Sequence, residues 1–109
     1  GVNLVIKWIN AEKAEAKDFA TVDGLVVPGG FGARGIEGKI MAAKYALEND
    51  KPYLGLCLGM QVACIAAARK AGLEKANSEE FEPETTENVI YIMDGPKGEG
   101  VNWWDDEIR

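Results

Sequence analysis

The chain has 109 residues, 47% of them hydrophobic, and carries a net charge of -6 from 18 acidic and 12 basic residues. That length fits one compact domain, and the apolar fraction is enough for a core. The acidic balance disfavours a nucleic-acid backbone or an anionic membrane surface as partner, because both need clustered Lys and Arg, and charge of this kind also simply keeps a soluble protein apart from its neighbours. No apolar run approaches the roughly 20 residues that cross a bilayer, and the start of the chain has no basic-then-apolar leader. Two cysteines, Cys57 and Cys64, are too few for a disulfide framework. Seven residues apart on one helix they stand roughly 10 Å apart along its axis, too far to bond. The chain therefore reads as cytoplasmic and reduced. It contains no histidine, so any mechanism that needs an imidazole must borrow one from outside the chain.

In chain order, Asn3 to Ile9 is rich in Leu, Val, Ile and Trp and reads as a strand, followed by a short helix within Ala11 to Asp18. Leu25-Val26-Val27 is a continuous apolar run, which predicts a strand buried on both faces of a parallel sheet. After Pro28-Gly29-Gly30, Ile36, Ile40, Ala43 and Leu47 recur at helical spacing, with Lys39, Lys44 and Glu48 on other faces, and Asn49-Asp50-Lys51-Pro52 ends that helix. Tyr53 to Leu56 is a second short apolar strand running into Cys57, and Leu58 to Ala71 is a helix with Gly72 placed to cap it. Ser78 to Glu87 reads as an acidic loop and Val89 to Met93 as a strand; Asp94 to Arg109 suggests no defined element. Alternating strands and helices predict an α/β fold, an open and mostly parallel sheet flanked by helices, with ligands at the carboxyl ends of the strands.

Both glycine-marked loops fall at those ends. Gly55-Leu56-Cys57-Leu58-Gly59 is a G-x-C-x-G between a strand and a helix, the cysteine form of a nucleophile elbow. The tight turn needs small residues on either side, the helix N-terminus favours a thiolate, and the backbone N–H of Leu58 is positioned for an oxyanion. A lone cysteine is more often simply buried; the two glycines, the preceding strand and the following helix turn that preference round. Cys64 has no such context and reads as core. Pro28-Gly29-Gly30-Phe31-Gly32 would let a backbone approach a ligand closely. It lacks the spacing of a phosphate-binding P-loop, and the G-x-G-x-x-G of Gly30 to Gly35 has no acidic partner ending a following strand, which argues against a dinucleotide.

Pro28-Gly29-Gly30-Phe31-Gly32, with Arg34-Gly35 and Gly38-Lys39, resembles the oxyanion loop of CTP synthase amidotransferase domains, and Asn77-Ser78-Glu79-Glu80-Phe81 is similar to their N-S-x-E-F segment. Gly55 to Gln61 resembles the elbow of class I glutamine amidotransferases in general. The resemblance implies hydrolysis of glutamine by Cys57, with ammonia passed to a synthetase domain that aminates UTP to CTP using ATP. It implies that the backbone at Gly30 and Leu58 contacts the substrate and its oxyanion, and that Gln61 and Glu80 hold the glutamine head group. A carboxylate at Glu80 suits a substrate ammonium; without the motif it would read as a solvated glutamate, Gln61 as a surface residue, and Arg34 and Lys39 as solvated or structural.

The resemblance spans about residues 2–93, which is read as a partial amidotransferase domain (1–93) truncated at both ends, with a tail of undefined structure (94–109). The His and Glu that complete the family's Cys-His-Glu triad have no counterpart, nor has the glycine-rich segment expected after Met93. The isolated chain is accordingly expected to be inactive, to need no cofactor of its own (ATP and Mg belonging to the synthetase domain), and to self-associate as a homo-oligomer through an exposed strand edge. Two other readings stay open: a catalytically dead α/β module that binds a partner or itself, and a cysteine-dependent hydrolase of the protease or chaperone type.

Overall fold

The computed structural model describes residues 1–92. Its elements are α1 (Ala16–Ala20), β1 (Leu25–Val27), α2 (Ile36–Glu48), β2 (Tyr53–Gly55), α3 (Leu58–Lys70), β3 (Asn77–Ser78) and β4 (Asn88–Ile90). The expectations for Met93, for the 94–109 tail and for its Trp103-Trp104 pair lie outside the described residues.

β1 and β2 pair in parallel, Leu25 opposite Tyr53, Val26 opposite Leu54 and Val27 opposite Gly55. α2 is the crossover between them, as the helical spacing after a glycine loop requires. β3 and β4 form a second parallel pair, Asn77 opposite Asn88 and Ser78 opposite Ile90. This is the expected α/β architecture. Both long helices end in the same way. Asp50 takes a left-handed φ of 51° after α2 and Lys51 N–H donates to the Ala46 carbonyl at 3.1 Å; Gly72 has φ 115° after α3 and Leu73 N–H donates to the Ala68 carbonyl at 3.0 Å. These six-to-one bonds are Schellman caps, which satisfy orphan carbonyls of the last turn.

The core lies on one face of the β1–β2 sheet. Leu25 and Val27 point into it with Ile36, Ile40 and Ala43 of α2 and Leu58, Val62, Ile65 and Ala66 of α3. The 58, 62, 65 spacing is one stripe of a 3.6-residue helix. Phe19 of α1 closes one end, its ring 5.7 Å from that of Tyr45. Lys51 then ties α1 to the entry of β2: its Nζ donates to the Ala20 and Val22 carbonyls and lies 5.9 Å from the Tyr45 ring centre.

Four details depart from the sequence expectation. Val26 is 64% exposed and Leu54 54%, so the strands are covered on one face and not on both. An apolar run of three cannot report which of its faces has a neighbour. Asn3 to Ile9 forms no strand, because no other described segment pairs with it; its apolar side chains are largely exposed, Val5 at 91% and Trp8 at 88%. Strand propensity is realised only through packing and pairing. Lys7 tethers that segment, its Nζ donating to the Asp18 carbonyl at 3.0 Å and to Thr21 Oγ1 at 3.3 Å. The first helix is also later and shorter than expected, because Asn10 to Lys13 makes a turn, closed by Lys13 N–H to the Asn10 carbonyl at 3.0 Å. Finally, Leu47 sits at the edge of the α2 stripe and is exposed.

That turn packs on the first turns of α2 at the closest range that glycine allows. A Cβ placed on Gly38 would sit 1.8 Å from the Ala11 carbonyl oxygen, and one on Gly35 would meet the Ala11 Cβ at 3.0 Å. The exposed ion pair between Arg34 and Glu12 bridges the same contact. Exposed pairs are worth little, whereas a backbone clash must be relieved by moving an element. Gly38→Ala is therefore expected to lower the unfolding free energy by about 1 to 3 kcal/mol, and Glu12→Gln by less than about 1 kcal/mol, both read from urea midpoints at constant slope. Equal losses would mean that the ion pair, and not the close approach, holds the turn.

Candidate active site

Cys57 occupies the turn between β2 and α3 with φ 56° and ψ -108°. A non-glycine residue held at positive φ costs on the order of 1 to 3 kcal/mol, and such strain concentrates at functional positions. The neighbouring glycines show what enforces it. A Cβ on Gly59 would lie 1.9 Å from the Val27 carbonyl oxygen, and one on Gly55 would lie 2.6 Å from both the carbonyl carbon and oxygen of Gly59. The first turn of α3 thus rests directly on the end of β1. Leu56 N–H donates to the Val27 carbonyl at 3.0 Å, while the Cys57 carbonyl accepts from Met60 and Gln61 at 3.0 and 3.2 Å and starts the helix. Cys57 is left exposed at the N-cap position with its thiol making no capping bond.

The glycine loop after β1 packs on this elbow. A Cβ on Gly29 would stand 3.4 Å from Cys57 Cβ, and one on Gly30 would stand 3.4 Å from Leu58 Cδ2. Leu58, as the first residue of α3, has a backbone N–H with no intrahelical acceptor. Gln61 lies one turn further, on the Cys57 side of the helix, half-buried, its side-chain amide without a hydrogen bond among the described residues. Glu80 comes from a distant part of the chain: its Oε1 accepts from Gly32 N–H at 3.3 Å, and its own N–H donates to Ser78 Oγ at 3.2 Å. Of the five residues singled out from sequence, Gly30 packs on Leu58 next to Cys57 at the carboxyl ends of β1 and β2, Gln61 lies one turn along α3, and Glu80 reaches the same glycine loop through Gly32.

Two residues behave differently from the sequence expectation. Cys64 is exposed and not core; its thiol lies 3.7 Å from Met60 Sδ. Alanine-rich surroundings gave it an apolar context, but the buried stripe of α3 runs through Val62 and Ile65 and passes it by. Tyr53, read only as a strand residue, donates from its hydroxyl to the Gly59 carbonyl at 2.6 Å and so pins the first turn of α3 to β2. Burial, with a smaller contribution from Cys64, pushes its hydroxyl up to about 12. Sequence carries no signal for this, since the bond depends on how the tyrosine ring passes between α2 and α3. A larger cavity of about 700 Å³ lies elsewhere, between residues 3–7 and the exposed face of β1 and β2. It shares no residue with the elbow and has no cysteine in its wall, so it does not displace the elbow as the candidate site.

With this geometry in view, the glutamine amidotransferase class-I family model matches residues 1–95. The chain belongs to the class I glutamine amidotransferases. It is similar to CTP synthases: 54% identical to that of Nautilia profundicola over 82% of this chain and 18% of that protein, and 56% identical to that of Thermus thermophilus over 81% of this chain and 17% of that protein. The chain thus spans less than a fifth of the length of these relatives. Among solved structures it is similar to the glutaminase domain of Trypanosoma brucei CTPS with bound acivicin, with a TM-score of 0.82 and 44% identity over 89% of this chain and 41% of that one. No helix among the described residues is long and apolar enough to cross a membrane.

The Tyr53 bond has a pH signature. A hydroxyl raised from about 10 in the unfolded chain to about 12 in the folded one stays protonated longer when folded. Its contribution is therefore fully present below pH 10 and is lost as pH rises towards 12. Tyr53→Phe is expected to lower stability at neutral pH and to flatten the decline between pH 10 and 12, measured by urea unfolding of both chains across that range. An unchanged alkaline decline in the variant would remove Tyr53 as its source.

Proposed function

We propose that this chain is the nucleophile-bearing part of a glutamine-hydrolysing site that supplies ammonia for the ATP-dependent amination of UTP to CTP in a larger enzyme. The observation that supports this best is the convergence of a strained, exposed Cys57 with the Gly29-Gly30 backbone on one side and Glu80, bonded to Gly32 of the same loop, on the other. The substrate side-chain amide would place its carbonyl carbon at Cys57 Sγ and its oxygen towards the N–H groups of Gly30 and Leu58. Attack forms the carbon–sulfur bond and a tetrahedral oxyanion; collapse breaks the carbon–nitrogen bond as the leaving nitrogen takes a proton. Water then cleaves the thioester to glutamate and restores the thiol. Glu80 would exchange its bond to Gly32 N–H for the substrate ammonium, and Gln61 would hydrogen-bond the head group.

The proton donor is the part this chain does not supply, because it has no histidine. ATP and Mg belong, on this reading, to a synthetase domain, and ammonia delivery to that domain is the partnership the site serves. The chain alone should bind and label without turning over: loss of an acid–base partner often costs several orders of magnitude in rate. Steady ammonia release from the pure chain, abolished by Cys57→Ala, would overturn that expectation.

Intact-mass labelling with an electrophilic glutamine analogue such as acivicin tests the substrate assignment. One adduct at Cys57, suppressed by glutamine and not by glutamate, is the expected outcome, with Glu80→Gln weakening the protection about tenfold or more. Adducts on both Cys57 and Cys64, indifferent to glutamine, would sink it. A second reading, an α/β module that associates with itself, is favoured by the bare Val26 and Leu54 on the open face of the sheet; a clean monomer in sedimentation would count against it.

A further inference from the structure

Among the described residues two lysines are half-buried, and they are used differently. Lys51 is fully engaged, donating to the Ala20 and Val22 carbonyls. The Lys39 side chain, in the first turn of α2, has no hydrogen bond and no ion pair among the described residues, its backbone N–H donating to the Gly35 carbonyl at 3.1 Å. Its neighbours on α2 do: Lys44 pairs with Glu48 at 3.9 Å and Glu37 with Arg69 at 3.0 Å. Arg34, the other cation beside the glycine loop, is occupied by Glu12. Lys39 reaches the loop instead. A Cβ on Gly30 would lie 3.3 Å from Lys39 Nζ and 3.4 Å from Leu58 Cδ2, so the ammonium packs against Gly30 on the side where the elbow helix begins.

A half-buried ammonium gives up hydration, and the loss is normally offset by an anion or an acceptor. Here the adjacent group is Gly30, which also packs on the Leu58 side chain at the start of the elbow helix, beside Cys57. We propose that Lys39 is a positioning charge for the elbow: a fixed cation behind the Gly30 peptide that makes this side of the elbow attractive to negative charge, including the oxyanion formed when Cys57 attacks. Neutral backbone donors supply direction; Lys39 supplies net charge in a partly desolvated place, where it is less screened than at the open surface. Glu80, bonded to Gly32, puts the opposite charge on the far side of the same loop. The site is therefore polarised across the glycine loop, positive at the oxyanion side and negative at the head-group side. This rests on the active-site reading of Gly30 and Leu58, but not on glutamine being the substrate.

The test uses the full chain with Cys64→Ser, so that Cys57 is the single thiol. The second-order rate of Cys57 alkylation is measured with iodoacetate, an anion, and with iodoacetamide, its neutral counterpart of similar size. The ratio of the two rates reports local charge, because exposure of the sulfur affects both alike. Lys39→Gln is expected to lower the ratio about two- to fivefold, Lys39→Arg to keep it, and Lys44→Gln, on the outer face of the same helix, to leave it unchanged. The difference made by Lys39→Gln should collapse in 1 M KCl, where screening acts within about 3 Å. An unchanged ratio in Lys39→Gln, an equal fall in Lys44→Gln, or a fall that persists undiminished in high salt would overturn the proposal. Should Lys39→Gln fail to fold, Lys39→Met, uncharged and of similar girth, takes the same reading. Because neither reagent resembles glutamine, loss of glutamine protection with the ratio change intact would remove the proposed substrate and leave the role of Lys39 standing; the reverse outcome removes Lys39 alone.

Discussion

The contact on which the rest of the molecule depends is the close approach of the first turn of α3 to the end of β1, where no side chain of any size fits between Gly59 and the Val27 carbonyl. The approach lets Leu56 N–H reach the same carbonyl and leaves Cys57 to complete the turn in a backbone conformation that non-glycine residues seldom hold. It also sets how α3 lies across the sheet, and so which residues of the helix become core. Val62 and Ile65 face inward while Cys64 faces out. The local cost at Cys57 is of the order of a kcal/mol or a few, and it is offset by the burial that follows once α3 is seated. Tyr53 reinforces the same point from below by bonding the Gly59 carbonyl.

A second set of contacts brings the distant segment that carries Glu80 to the glycine loop. Arg69 near the end of α3 forms a two-toothed pair with Glu37 of α2, through its two terminal nitrogens at 3.0 and 3.2 Å, and its Nε donates to the Ala76 carbonyl at 2.9 Å. One guanidinium thereby fixes both helices and the entry of β3, the geometry for which its planar fork is suited. Ser78, buried at the end of β3, accepts from Glu80 N–H, and Glu80 reaches back to Gly32. Residues 48 positions apart are thus joined by one hydrogen bond.

The sheet has an unequal pair of faces. Helices cover the Leu25 and Val27 side, while Val26 and Leu54 stand open beside the cavity bordered by residues 3–7. An α/β sheet of parallel strands is usually covered on both sides. The core and the first turn of α3 are both on the covered side of this chain, so the elbow is formed although the other face of the sheet is bare.

Much of the site was legible in the sequence, because the constraints that build it are local. G-x-C-x-G reports a turn too tight for side chains, the glycine run after Val27 reports a backbone in close approach, and the periodicity after Ile36 reports a buried helix face. Local patterns of that kind determined the α/β order, both long helices and the place of Cys57 in the turn between β2 and α3. Only the tertiary structure decided what depends on a neighbour: that among the described residues Asn3 to Ile9 has no strand to pair with and the Lys39 side chain, packed against Gly30, has no partner, that Val26 is open and Cys64 exposed, and that Tyr53 anchors the elbow. A residue's spacing tells which side of its own element it occupies, but burial, pairing and charge environment belong to whatever the fold sets against that side.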